Sequence, residues 1–187
     1  MNNIFKPRIT IFVDVVLLFV SISFLSYSGY SFNKILPVPI SIITKGDIVL
    51  EEANKALNLL NAPEAKRNDL AAAVTSASKL TNLSPTLIIS LIYTESEFKY
   101  TAISKKGYKG LMQTPWATFE YADVDILYGC RILKEKLRIA NDDLLFALAL
   151  YKGGNNPEAK KYAKETFVLY KKIKDRQKDE ENMSYAL

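Results

Sequence analysis

The sequence predicts an all-α domain behind a single N-terminal transmembrane helix. Three observations predict it. Apolar residues recur at a helical period almost throughout from Pro63 onward, no segment reads as a convincing strand, and the early run from Val15 to Phe32 holds no charged side chain. The chain has 187 residues, 49% of them hydrophobic, and a formal charge of +5. That is enough for one compact domain with a short appendage.

Residues 1–33 form the expected anchor. Lys6 and Arg8 precede the apolar run, so they stay on the cytoplasmic side and the rest of the chain faces outward. Asp14 sits near the start of the run, at the interface rather than at mid-bilayer, where a charge is costly. A cleaved signal peptide is the competing reading; no convincing A-x-A cleavage site follows, which favours an anchor. Residues 34–62 read as a linker with Pro37, Pro39 and Gly46, then a short helix within Val49–Ala62.

The domain proper is expected over residues 63–175. Its first helix, Ala65 to Leu83, carries Leu70, Ala73, Val74, Ala77 and Leu80 on one face. Pro85 to Phe98 follows, with Ser84 as N-cap and Pro85 at the first helical position, where a missing N–H costs nothing. The loop "KYTAISKKGYKG" is broken by Gly107 and Gly110. A helix from Asp123 to Ile139 comes next. Asp142 is expected to cap "DLLFALALYKG", which is apolar nearly all round and so placed at the centre, with Gly153 and Gly154 ending it. Pro157 to Ile173 closes the domain, and the charged tail over 176–187 reads as disordered.

Composition excludes much chemistry. There is no histidine, which removes Ser-His-Asp catalysis and argues against zinc; no metal and no cofactor is expected. Cys130 stands alone among Leu127, Ile132 and Leu133, a small buried thiol with no imidazole to activate it. A pI near 9.1 suits an anionic polymer. The charge is spread along helices as on a solvated surface, and no base-reading motif is present, so nucleic acid is not expected as a partner.

The anomaly is Glu95 in "LIYTESEFKY". Leu87, Ile88, Leu91 and Ile92 make the apolar stripe of that helix, and Glu95 continues it, four residues after Leu91 and seven after Ile88. Glu97 points to solvent. A carboxyl group in apolar surroundings at a helix C-terminus favours its neutral form, which is what a general acid needs near neutral pH. Asp123 and Asp125 read as helix-start residues and offer no obvious second carboxylate.

The order of motifs around Glu95 resembles the lytic transglycosylases of the soluble-lytic-transglycosylase type, with their goose-type lysozyme-like fold. The residues carrying it run from the Glu95-Ser96 pair through "GLMQTP" (Gly110 to Pro115) and "DILYGCRIL" (Asp125 to Leu133). "ALALYKGG" (Ala147 to Gly154) and "PEAKKYAKETFVLYKKI" from Pro157 complete it. The family patterns are E-S, G-L-M-Q-x-x-P, N-I-x-x-G, A-Y-N-A-G and P-E-T-x-x-Y-V. The resemblance covers roughly Leu80 to Ile173 and implies a lysozyme-like helical domain with Glu95 as the catalytic acid. It implies substrate contacts from Ser96, Gly110, Leu111, Met112, Gln113, Tyr151 and Tyr162, with Glu158 at the P-E-T glutamate. Lys152 departs from the family asparagine, and a lysine cannot replace the acceptor of a carboxamide. Trp116 lies outside the motif and is expected to pack in the core.

The activity implied is cleavage of the MurNAc–GlcNAc β-1,4 bond without water. Glu95 protonates the glycosidic oxygen, then takes the proton of the muramoyl C6 hydroxyl as that oxygen closes onto C1, leaving a 1,6-anhydro sugar. The expected partners are peptidoglycan glycan strands and, through the N-terminal helix, a membrane, with the domain on the wall side. Growth, a secretion or conjugation channel, and phage entry from a virion all remain open as occasions for cutting. Goose-type hydrolysis is the nearest alternative, and a non-catalytic peptidoglycan-binding scaffold is the alternative of another class. Lys152 favours the latter, since it could pair with Glu95 and hold it ionised.

Overall fold

The computed structural model describes residues 44–117 and 121–184. The expected anchor and the linker as far as residue 43 lie outside the described residues. Among the described residues no helix is long and apolar enough to cross a membrane. They form six helices: α1 Lys45–Leu59, α2 Glu64–Thr81, α3 Pro85–Ser96, α4 Ala122–Ile139, α5 Leu144–Lys152 and α6 Pro157–Ser184. Two isolated β-bridges, Ile103 with Lys109 and Lys109 with Thr114, pin the loop between α3 and α4. The fold is all-helical, as the periodicity predicts.

Local chemistry sets the helix ends. Thr44 begins α1 with a capping box: its backbone N donates to Asp47 Oδ2 at 2.8 Å and its Oγ1 accepts from Asp47 N at 3.3 Å. Asn82 ends α2 in the left-handed region at φ 56°. Asp143, rather than the expected Asp142, caps α5, accepting from Phe146 N at 3.0 Å. Asp142 itself stands at φ 62°, a turn conformation that aspartate tolerates. Asn156 opens α6 by accepting from Ala159 N at 2.8 Å.

The central helix is α3, not the expected α5. Every residue from Pro85 to Ile92 is buried, so α3 has no solvent face over two turns. The single apolar stripe expected there is a full circle, completed by Ile89 and by the small polar residues Thr86 and Ser90. Ser90 Oγ spends its hydrogen on Thr86 O at 2.7 Å, which makes its burial tolerable. By contrast α5 buries Ala147, Leu148 and Ala149 and leaves Leu145 and Phe146 exposed. Around α3 pack α1, α2 and α6, while α4 bridges α2 and α5. Each fully buried leucine or isoleucine in this core contributes about 1.5–3 kcal/mol over an exposed one.

A polar clasp ties the start of α3 to its neighbours. Glu52 Oε1 accepts from Ser84 Oγ at 2.9 Å and Thr86 Oγ1 at 2.8 Å, and Lys174 Nζ lies 3.6 Å from it. Gln177 Nε2 donates to Glu52 O at 2.9 Å. Ser84 therefore holds the N-cap position but gives its hydroxyl to Glu52 rather than to its own helix. The clasp also explains why α6 continues to Ser184 where a disordered tail is expected: Ile173 and Gln177 are buried against the body. Two further expectations fail. Leu80 is 70% exposed on α2 and Trp116 is 69% exposed, edge-on to Tyr128 at 5.3 Å, so neither belongs to the core.

Candidate active site

The last turn of α3 carries Glu95 on the line of Ile88 and Leu91, both fully buried. Its side chain is only 3% exposed, as the phase of the helix requires. Glu97 is exposed, forms the C-cap at φ 51°, and pairs with Lys99 at 2.8 Å. Phe98 follows at φ 63°. Two successive non-glycine residues in the left-handed region turn the chain sharply away at the end of the helix, a conformation that costs energy and is concentrated at functional sites.

Opposite this end comes Lys152, the last residue of α5. Its Nζ lies 2.9 Å from Glu95 Oε2 and 4.5 Å above the centre of the Tyr162 ring. The lysine side chain is 36% exposed, so the pair has one buried and one open member. Tyr162 is 7% exposed, and its hydroxyl is buried without a hydrogen-bond partner of good geometry. Burial, and then the Glu95 carboxylate beside it, push that phenol well above its ordinary pKa. Burial, again followed by the charge of Glu95, does the same for Tyr151. Glu95, Tyr151, Lys152 and Tyr162 are thus one cluster, built where the ends of α3 and α5 meet α6.

The "GLMQT" loop is the second half of the site. Tyr151 donates its hydroxyl hydrogen to Met112 O at 2.8 Å and so joins the cluster to the loop. Leu111 and Met112 are buried to 1% and 0% exposure, and their backbone N–H groups and Met112 O are already paired within the protein, so both residues support the loop from inside. Gln113 stands at φ 49° and spends its amide hydrogens on Gly110 O at 2.8 Å and Ala102 O at 3.1 Å; only its carbonyl oxygen remains to accept. Ser96 Oγ donates to Ile92 O at 3.0 Å within its own helix. Of the residues expected to touch a glycan, Glu95, Tyr151 and Tyr162 are gathered at one place, while Gly110, Leu111, Met112 and Gln113 lie in the loop that Tyr151 joins to it. Glu158 is exposed.

The residue that holds this loop is Asp125, which lies in the first turn of α4 as expected but turns its carboxylate inward. It is 3% exposed. Its Oδ2 accepts from Leu111 N at 2.7 Å and Met112 N at 3.4 Å, and its Oδ1 from Thr114 Oγ1 at 3.1 Å. Gly129, one turn further along α4, lets Met112 approach: a Cβ there would lie 2.7 Å from Met112 Cβ. Glycine inside a helix costs about 1 kcal/mol against alanine, and this contact is what it permits. An isolated glycine in a helical pattern was the available signal. Cys130 is fully buried, and burial pushes its thiol up to about 12.

Burial raises the pKa of Asp125, and the hydrogen bonds from Thr114, Met112 and Leu111 offset only part of that. The folded chain therefore holds this proton more tightly than the unfolded chain does, and stability falls as pH rises from near 3.8 through the raised value. Asp125→Asn keeps an acceptor for the loop and has nothing to ionise. Urea unfolding across a pH series should show the variant gaining on the wild type through that window, then keeping a constant lead. Parallel curves would show that the burial of this charge has no energetic consequence.

Among the described residues no cluster of three or more candidate metal ligands occurs. Residues 72–124 match the family model for the transglycosylase SLT domain. The match spans the second half of α2, all of α3, the loop and the start of α4, so it takes in Glu95, Ser96 and Gly110 to Gln113. Tyr151, Lys152 and Tyr162 lie beyond it. No curated protein matches the chain.

Proposed function

We propose that the chain, whose residues 72–124 match the transglycosylase SLT domain, is a peptidoglycan lytic transglycosylase with a lysozyme-like fold. The observation that carries this reading is the placement of Glu95: a side chain 3% exposed at the end of a buried helix, beside the partly buried Tyr151 and the buried Tyr162. A proton on Glu95 passes to the oxygen of the MurNAc–GlcNAc β-1,4 bond as that bond breaks. The resulting carboxylate removes the proton of the muramoyl C6 hydroxyl while O6 closes onto C1. Glu95 ends the cycle protonated, the product is a 1,6-anhydro sugar, and no water is consumed. Tyr151 and Tyr162 flank the acid, and the loop of Gly110 to Gln113, joined to Tyr151 through Met112 O, braces the site from beside it.

Hydrolysis in the manner of goose-type lysozyme needs a carboxylate to direct water. Asp125, the nearest candidate, is committed to Leu111, Met112 and Thr114. A second reading, a scaffold that binds peptidoglycan without cutting it, is favoured by one observation, the Lys152–Glu95 pair. We place the catalytic domain on the wall side of a membrane, tethered by the apolar run from Val15 to Phe32, for local opening of the wall.

Mass spectrometry of muropeptides released from purified sacculi tests the reading. Anhydro products, lighter by one water and resistant to borohydride, are expected. Reducing ends would identify a hydrolase, and no release would leave the scaffold.

A further inference from the structure

Lys152 holds the most strongly engaged ammonium of the site. It is bonded at 2.9 Å to a carboxylate 3% exposed, lies 4.5 Å over the Tyr162 ring, and is itself open to solvent over about a third of its side chain. A carboxylate so engaged is turned to the ammonium and not to a glycosidic oxygen. Moving the ammonium aside for a neutral ligand would strand an ion in a nearly closed site, and stranding one member of such a pair is strongly unfavourable. A ligand that brings its own carboxylate avoids this cost, because the ammonium exchanges one anion for another. The freed Glu95 can then turn to the bond that is to be cut.

Two features of the site favour that exchange. Lys152 ends α5, where a cation is supported by the helix C-terminus whichever anion it meets. Lys106, from the loop after α3, comes up to the same helix end: a Cβ built on Gly153 would lie 3.9 Å from its Nζ. A second ammonium therefore stands at the end of α5, beside the residue next in the chain to the lysine latched to Glu95.

We infer that Lys152 is a specificity-determining residue, a latch that releases Glu95 only when the glycan presents a carboxylate. This rests on the lytic transglycosylase reading. The carboxylate has two sources in peptidoglycan, the stem peptide and the lactyl group laid bare when that peptide is removed.

The test uses the full chain on four glycan preparations: intact strands, strands stripped of peptide by an amidase, and each of these after its carboxylates are capped with a neutral amine. Capping should lower kcat/KM of the wild type at least tenfold. Lys152→Asn should respond less than threefold to capping, and Lys152→Arg, which keeps the charge, should respond as the wild type does. Preference for intact over stripped strands assigns the carboxylate to the peptide, and the reverse assigns it to the lactyl group. The inference is overturned if capping leaves the wild type unaffected. It is equally overturned if Lys152→Asn keeps the discrimination, or is folded yet inert on every preparation. Binding to the same strands is measured in parallel. Binding that depends on carboxylate and Lys152 without any cleavage would sink the enzymatic reading and leave Lys152 as the carboxylate reader. Cleavage and binding indifferent to capping would do the opposite.

Discussion

Glu95→Gln lowers kcat on glycan strands by roughly 10²–10⁴-fold, the usual contribution of a positioned general acid–base group, while KM stays near the wild-type value. Glutamine has the same shape and fills the same nearly closed position. It can neither give nor receive the proton that both halves of the reaction require. The variant removes the anion that Lys152 engages, but that ammonium is open to water and can hydrate, so the melting temperature changes little. A fall in kcat with KM unchanged marks a loss confined to the transition state. Equal clearing of sacculi by variant and wild type would remove Glu95 from the chemistry. Loss of activity together with a collapse in melting temperature would show that the pair with Lys152 is structural.

Much of this site is written in the sequence because helix phase is periodic. The burial of Glu95 follows from its spacing to Ile88 and Leu91, and the exposure of Glu97 from the same arithmetic. The pairing of Lys152 with Glu95 was foreseeable from the departure at that position, since a cation at the mouth of the site has a buried carboxylate to meet. What periodicity could not convey was how many neighbours a helix has. The apolar stripe of α3 and the apolar circumference of α5 suggest that α5 is central, yet α3 is enclosed on every side. Its buried polar residues, Thr86 and Ser90, are satisfied by partners as distant in sequence as Gln177 and as near as Thr86 itself. Long-range hydrogen bonds leave no local trace. The same holds for Asp125: nothing near it reveals that it faces inward onto a loop more than ten residues earlier.

That loop is the point at which the fold is least tolerant of change, and Gly110→Ala is the substitution that shows it. Gly110 stands at φ +77°, where an L side chain is strained by about 1–2 kcal/mol. A Cβ there would meet Asp125 Oδ2 closer than real atoms approach, and would lie 3.0 Å from Asp125 Cγ, itself a tight contact. Either the loop lifts off α4 or the Asp125 carboxylate turns away from Leu111, Met112 and Thr114. Hydrogen bonds to a charged group contribute about 1.5–3 kcal/mol each, so with the strain the loss of one of them brings the total to roughly 2.5–5 kcal/mol. Gly107 supplies the control. It has nearly the same backbone, φ +80°, with nothing within 4 Å of the position of a Cβ, so Gly107→Ala costs the strain alone. Thermal unfolding of the two variants should therefore separate them by several degrees, with Gly110→Ala the lower. Adding Asp125→Ala to Gly110→Ala relieves the clash, and the double variant should lose less than the sum of the single losses. If Gly110→Ala and Gly107→Ala melt together, or the double variant is strictly additive, the loop is not held by Asp125 and the brace beside the site has another origin.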